Sequence, residues 1–216
     1  MKNLLRTAAL LVATGLPLIA PAATPQSGSA ATPEAAPVAA LDAGLLATMQ
    51  AGSAGQSFAA RYAALDPVVK QTYNLPMVVQ NSVGFSWPTL PAAQQQQLSA
   101  LFEQFTVVSY VSQFTSAGAK FVLLPKEKSL GANKIVETKI VPGDGSAPTE
   151  LDYVVAGGPS NWQITDVLLN GTISQVAVHA SDFSVLVSGG DAAPLIAALK
   201  TKITTLSNGA ITPSGP

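Results

Sequence analysis

The sequence contains no cysteine and a single histidine, His179. The first absence excludes disulfides, thiol nucleophiles and the usual zinc ligand sets, so an exported chain of this kind must hold its fold by its core alone. The second leaves His179 as the sole conventional base for a serine nucleophile, and no serine stands in the glycine-flanked turn that such chemistry uses. His179 therefore reads as a satisfied or surface histidine, and neither a metal nor a cofactor is expected. Charge is scarce as well: Asp, Glu, Lys and Arg make up 11% of 216 residues, against about 25% in an ordinary soluble domain. With Lys2 and Arg6 set aside, nine basic residues face 12 acidic ones, a balance that argues against a nucleic-acid partner. No glycine-rich run ends in Lys followed by Ser or Thr, so a phosphate-cradling loop is lacking too.

What the chain has in quantity is apolar side chains, 48% of the total. At the amino terminus Lys2 and Arg6 precede an apolar stretch from Ala8 to Ala20 and the small residues Ala20, Pro21 and Ala22. That order marks residues 1–22 as a secretory signal peptide. About 13 apolar residues fall short of the roughly 20 that span a membrane. Without a cysteine to carry a lipid anchor, the mature chain is expected to be soluble in the periplasm. Residues 23–40, built almost wholly from Ala, Pro, Thr, Ser and Gly, read as a disordered leader. One domain is expected over 41–205, and a flexible tail over 206–216.

Between Leu41 and Ser116 the pattern is helical. Phe58, Tyr62, Leu65 and Val69 recur at helical spacing behind a capping Ser57. Breaks follow at Asn74–Pro76 and at Trp87–Pro88, and Pro91 opens a long helix. Leu98, Leu101, Phe102, Phe105 and Val108 stripe that helix, and Val107, Val111 and Phe114 widen the stripe enough for more than one partner surface. After Gly118 the period changes to strands at 120–124, 134–141, 151–156 and 162–169, separated by turns at 126–130, 143–146 and 157–160. A four-stranded antiparallel meander is the simplest outcome. Both faces of the last strand are apolar, so both need cover. Thr172 and Gln175 have the spacing of a capping box for a helix from Ile173 to about Val187, and Asp191 can cap a final helix after Gly189 and Gly190. Helices, sheet, helices is an α+β order.

Candidate chemistry is thin. Glu150 and Asp152 share one side of a strand and read as a solvated strand end. Asp166, between Ile164 and Leu168, needs a hydrogen bond or a cation if partly buried, and a structural bond to a neighbouring loop is the favoured account. The positive feature is the surplus of large apolar residues, which composition alone leaves open between a filled core and a lined cavity.

Several stretches carry a resemblance: Arg61, Tyr62 and Leu65; Val83, Gly84 and Trp87; Tyr110 to Phe114; Leu151 to Tyr153; Trp162, Asp166 and Val167; and Gly171 to Gln175 with Ser181 and Phe183. In this order they resemble the MlaC family of periplasmic phospholipid-binding proteins, most of all its hopanoid-associated HpnM branch. Ala180 departs from the pattern, standing near where relatives usually carry arginine, so no headgroup or partner contact is carried over there. The resemblance implies a twisted four-stranded antiparallel sheet wrapped by helices into a cone, with lipid tails in an apolar cavity between them. It implies a monomeric carrier of a phospholipid or hopanoid-type lipid, working between an inner-membrane ABC transporter with its lipid-binding ring and an outer-membrane lipoprotein complex. Phe85, Trp87, Phe102, Phe105, Tyr110, Tyr153, Ile164, Val167 and Phe183 are then expected to line the lipid site. The competing readings are a small enzyme using Asp166 with Tyr153 or His179, and an adaptor with a filled core.

Overall fold

The computed structural model describes residues 32–158 and 160–215; the expected signal peptide lies outside them. Six α-helices and one antiparallel sheet follow in the order α1 Ala36–Ser53, α2 Phe58–Thr72, α3 Leu75–Val83, α4 Ala92–Gln113, β1 Lys120–Leu130, β2 Asn133–Val141, β3 Thr149–Ala156, β4 Gln163–Leu169, β5 Ile173–Ser174, α5 Gln175–Ser184 and α6 Ala193–Leu206. A 3₁₀ turn, Gly84–Thr89, joins α3 to α4. No helix among the described residues is long and apolar enough to cross a membrane.

Local chemistry accounts for most boundaries. Ser57 Oγ accepts the Ala60 amide and starts α2; Asn74 Oδ1 accepts the Met77 amide and starts α3, with Pro76 in the first turn. At the last helix, Asp191 Oδ1 accepts the Ala193 amide from one position ahead of the cap residue, Ala192. The leader expected over residues 23–40 is overturned in its described part. Helix α1 begins at Ala36, and Ala35, Pro37 and Val38 are buried, because alanine-rich sequence is strongly helical once one face has a core to meet. The flexible tail over 206–216 is corrected likewise: Ser207 is buried, Ile211 packs on the core, and Ser214 exchanges two hydrogen bonds with Gln104.

The strands run in sequence order, β1-β2-β3-β4-β5. Four strands were expected, and two additions sit on the outer edge of β4. Ile173 and Ser174 pair with Leu169 and Leu168, and Tyr73 bridges Ile164 in parallel. That pairing takes Ile173 and Ser174, the first two residues of the expected helix, so Ser174 and not Thr172 caps α5, accepting the Ala177 amide. The turn expected over 126–130 is instead the second half of β1, and the chain reverses at Gly131, whose φ of 61° suits glycine. Pro125 has no amide hydrogen for the ladder, and it sits where the register slips between Leu123 and Glu127.

Helix α1 packs on α2, α2 on α4, α4 on α6 and α3 on α5. The core of this layer includes Leu41, Leu65, Val69, Leu98, Leu101, Val108, Leu195 and Leu199, all 1% exposed or less. Arg61 of α2 is buried in it, and its Nη1 donates to the carbonyls of Val111 at 3.1 Å and Phe114 at 3.4 Å. A cation thus meets the negative end of α4 and pairs carbonyls that helix geometry leaves open. The guanidinium also stands 5.6 Å from the centre of the Phe58 ring. Arg61→Met, which keeps most of the volume and removes the donors, should destabilise the fold by about 2 to 4 kcal/mol in urea unfolding.

Candidate lipid-binding site

Between α4 and the sheet lies a cavity of about 240 Å³. Its helical wall is a single face of α4, Phe102, Phe105, Ser109 and Tyr110, with Tyr73 and Leu75 beside it. Its sheet wall is Leu151 and Tyr153 of β3 with Val167 and Leu169 of β4, residues that share one face because β3 and β4 pair Tyr153 with Val167 and Leu151 with Leu169. His179 and Val176 of α5 close the third side.

Five of the nine expected site residues therefore meet at the cavity: Phe102, Phe105, Tyr110, Tyr153 and Val167. The other four do not line it. Phe183 is fully buried behind the wall, its ring edge-on to Phe102 at 6.3 Å. Ile164 is fully buried under Tyr73, where the helices meet the sheet. Trp87 borders a separate surface groove with Leu75 and Pro76. Phe85 is entirely exposed on the 3₁₀ turn, which aims it outward while Trp87 packs inward. Sequence reasoning missed Tyr73, Leu75, Ser109 and His179. Ser109 was within reach, since it follows Phe105 by one helical turn on the same face.

The polar groups of the site differ in how they are satisfied. Asp166 lines the cavity, and its carboxylate accepts the amides of Val167 at 2.8 Å and Val176 at 3.0 Å and the hydroxyl of Ser174. It pins the first turn of α5 to β4. The hydroxyls of Tyr73 and Tyr110 are hydrogen-bonded to each other, and burial raises both phenols above their usual range. Asp42 of α1 is buried among these tyrosines' neighbours with Oδ1 unpartnered, and desolvation pushes its carboxyl up to about 7. His179 is half-buried and its imidazole is not fully satisfied, contrary to expectation. Its ring stacks on Phe183 at 5.3 Å and meets Phe102 edge-on at 5.7 Å, while Nδ1 is buried with no partner. Burial lowers its pKa, against the opposing pull of Asp182 and Asp166.

On the opposite face of the sheet, Glu137, Glu150 and Asp152 bring one oxygen each within 4.8 Å of one another. Lys128 forms an ion pair with Glu137 there, so an ammonium already supplies part of the countercharge. This cluster stands apart from the cavity, because Asp152 alternates with Leu151 and Tyr153 along β3.

The family model described as "MlaC protein" matches residues 40–201. The chain belongs to the MlaC family. No curated protein sequence matches it. Among solved structures it is similar to the phospholipid-binding protein of Ralstonia solanacearum, determined in complex with a phospholipid, at 18% identity and a TM-score of 0.69. That match covers 82% of this chain and 99% of the other, so the MlaC fold accounts for nearly everything from α1 to α6.

Two predictions follow from the carboxylates. Asp166→Asn, which weakens the link to α5, should lower stability by about 1 to 3 kcal/mol, read from thermal melting. Asp42 acts in the opposite direction. The folded chain keeps a proton on this group that the unfolded chain loses near pH 4, so stability should fall as pH rises from about 4 to 7. Asp42→Asn should remove that dependence and raise stability at pH 8 by on the order of 2 to 4 kcal/mol, with little gain at pH 4.

Proposed function

We propose that this chain is a periplasmic lipid carrier, which takes up a phospholipid or hopanoid-type lipid and moves it as a monomer between the inner and outer membranes. The single observation that carries this reading is an apolar cavity, walled by α4, α5 and one sheet face, in a member of the MlaC family. Each acyl methylene in water costs about 0.8 kcal/mol, so a tail of roughly 16 carbons costs about 12 kcal/mol to expose. A soluble carrier must therefore enclose it. The cavity of about 240 Å³ is below the roughly 300 to 1,000 Å³ usual for ligand sites, so loading parts α4 and α5 from the sheet.

The route of delivery is inferred from the family. An inner-membrane ABC transporter with a lipid-binding ring would load or unload the carrier, and an outer-membrane lipoprotein complex would stand at the other end. The signal peptide supports export to the compartment between them. The enzyme reading would use Asp166, Tyr153 and His179, which do border one cavity. Asp166 is already engaged by Ser174 and two amides, which favours carriage.

The test is native mass spectrometry of the exported protein, which should retain lipid. Val167→Glu places an ion on the sheet wall of the site and should lower lipid retention at least about 10-fold, because acyl chains cannot solvate it. Its melting temperature should fall by only a few degrees, because the empty cavity admits water. Phe85→Glu, on the exposed turn, should retain lipid like the parent. A parent protein that holds no lipid and binds no fatty-acid probe refutes the carrier; a Val167→Glu chain that simply unfolds makes that wall ordinary core.

A further inference from the structure

Among the described residues, two buried side-chain atoms that border the cavity lack any hydrogen-bond partner: Ser109 Oγ and His179 Nδ1. They belong to one region of it. Ser109 lies one helical turn beyond Phe105, and the Phe105 ring is 6.1 Å from the His179 imidazole. Serine in a helix ordinarily bonds back to a carbonyl of the preceding turn, as Thr106 does to Phe102 at 2.8 Å. Ser109 Oγ does not, and is left for something else.

In the empty cavity water can serve both atoms. A ligand that expels that water must replace its hydrogen bonds or lose affinity. A purely hydrocarbon tail would strand both groups, and an imidazole on which Asp182 and Asp166 already act is a poor seat for a further anion such as phosphate, although Lys202 also borders the cavity. A neutral acceptor meets neither objection. A serine hydroxyl can donate to it, as can a neutral imidazole from a protonated Nδ1.

We propose that Ser109 and His179 hold the ester carbonyls of a bound glycerolipid, so that the site selects ester-linked lipids over ether-linked and purely hydrocarbon ones. This rests on the carrier reading and specifies what is carried. The probes are phosphatidylglycerol with two ester-linked chains and its ether-linked counterpart of equal chain length, offered in competition to the delipidated full chain and read by native mass spectrometry. The parent should prefer the ester lipid by about 5- to 10-fold, as expected for one or two net hydrogen bonds. Ser109→Ala and His179→Phe should each reduce that preference about 3-fold, and the double variant should bind both lipids alike. The empty variants should melt no lower than the parent, since neither polar atom has a partner in the protein. Equal binding of the two lipids by the parent, a preference surviving in the double variant, or a drop of several degrees in melting temperature overturns the assignment. Binding of neither lipid overturns the carrier reading itself, and the assignment with it.

Discussion

The architecture depends on one short junction between the helices and the sheet. As α2 ends, Tyr73 bridges Ile164, the Asn74 amide donates to the Ile164 carbonyl at 2.9 Å, and Gln163 Nε2 donates to the Tyr73 carbonyl at 3.2 Å. These two hydrogen bonds at the start of β4 fix the angle at which the helical layer leaves the sheet. With Ile164 sealed beneath them, that edge is closed. At the other end of β4, Asp166 and Ser174 tie α5 to the strand. A space remains between these two attachments because the α4 face and the sheet are held apart at their margins, and not because the core lacks side chains to fill it.

The scarcity of charge acquires a physical meaning in this arrangement. Two charges that hold the fold together are well placed, the buried Arg61 at the end of α4 and the half-buried Asp166 at the start of α5. Both pair with the open backbone groups of helix ends, which the chain must satisfy in any case. Asp42 and Asp152 are exceptions, buried carboxyls that each keep an unpartnered oxygen, and burial raises the pKa of both. In a protein whose interior is meant to receive a hydrocarbon, polarity belongs where backbone geometry already demands it.

How far the chain could be read in advance varied with what determined each element. The α4 stripe was legible because side-chain period alone decides it, and five of the residues it and the sheet contributed do face the cavity. Phe85 and Trp87 were not separable by pattern, because a 3₁₀ turn sends neighbours three residues apart to one side and residues two apart to different ones, and only its path decides which ring is left in water. The capping box at Thr172 failed to a competing interaction, strand pairing by Ile173 and Ser174 with β4, which no local signal announces. The order of residues 33–40 was hidden in a composition that suits both a linker and a helix. His179 was misjudged since its surroundings come from α4 and α5 together, which only the tertiary fold brings side by side.

The placement of the aromatic residues also governs how the molecule can be watched. Both tryptophans, Trp87 and Trp162, are outside the cavity, whereas Tyr73, Tyr110 and Tyr153 form part of its wall. Indole emission, which dominates the intrinsic fluorescence of a protein, will therefore report on the outer shell and remain nearly silent as the interior fills. The phenol absorbance near the Tyr73–Tyr110 pair, by contrast, changes with whatever replaces water around those rings, so difference spectra in the near ultraviolet give this chain a built-in gauge of occupancy without any label.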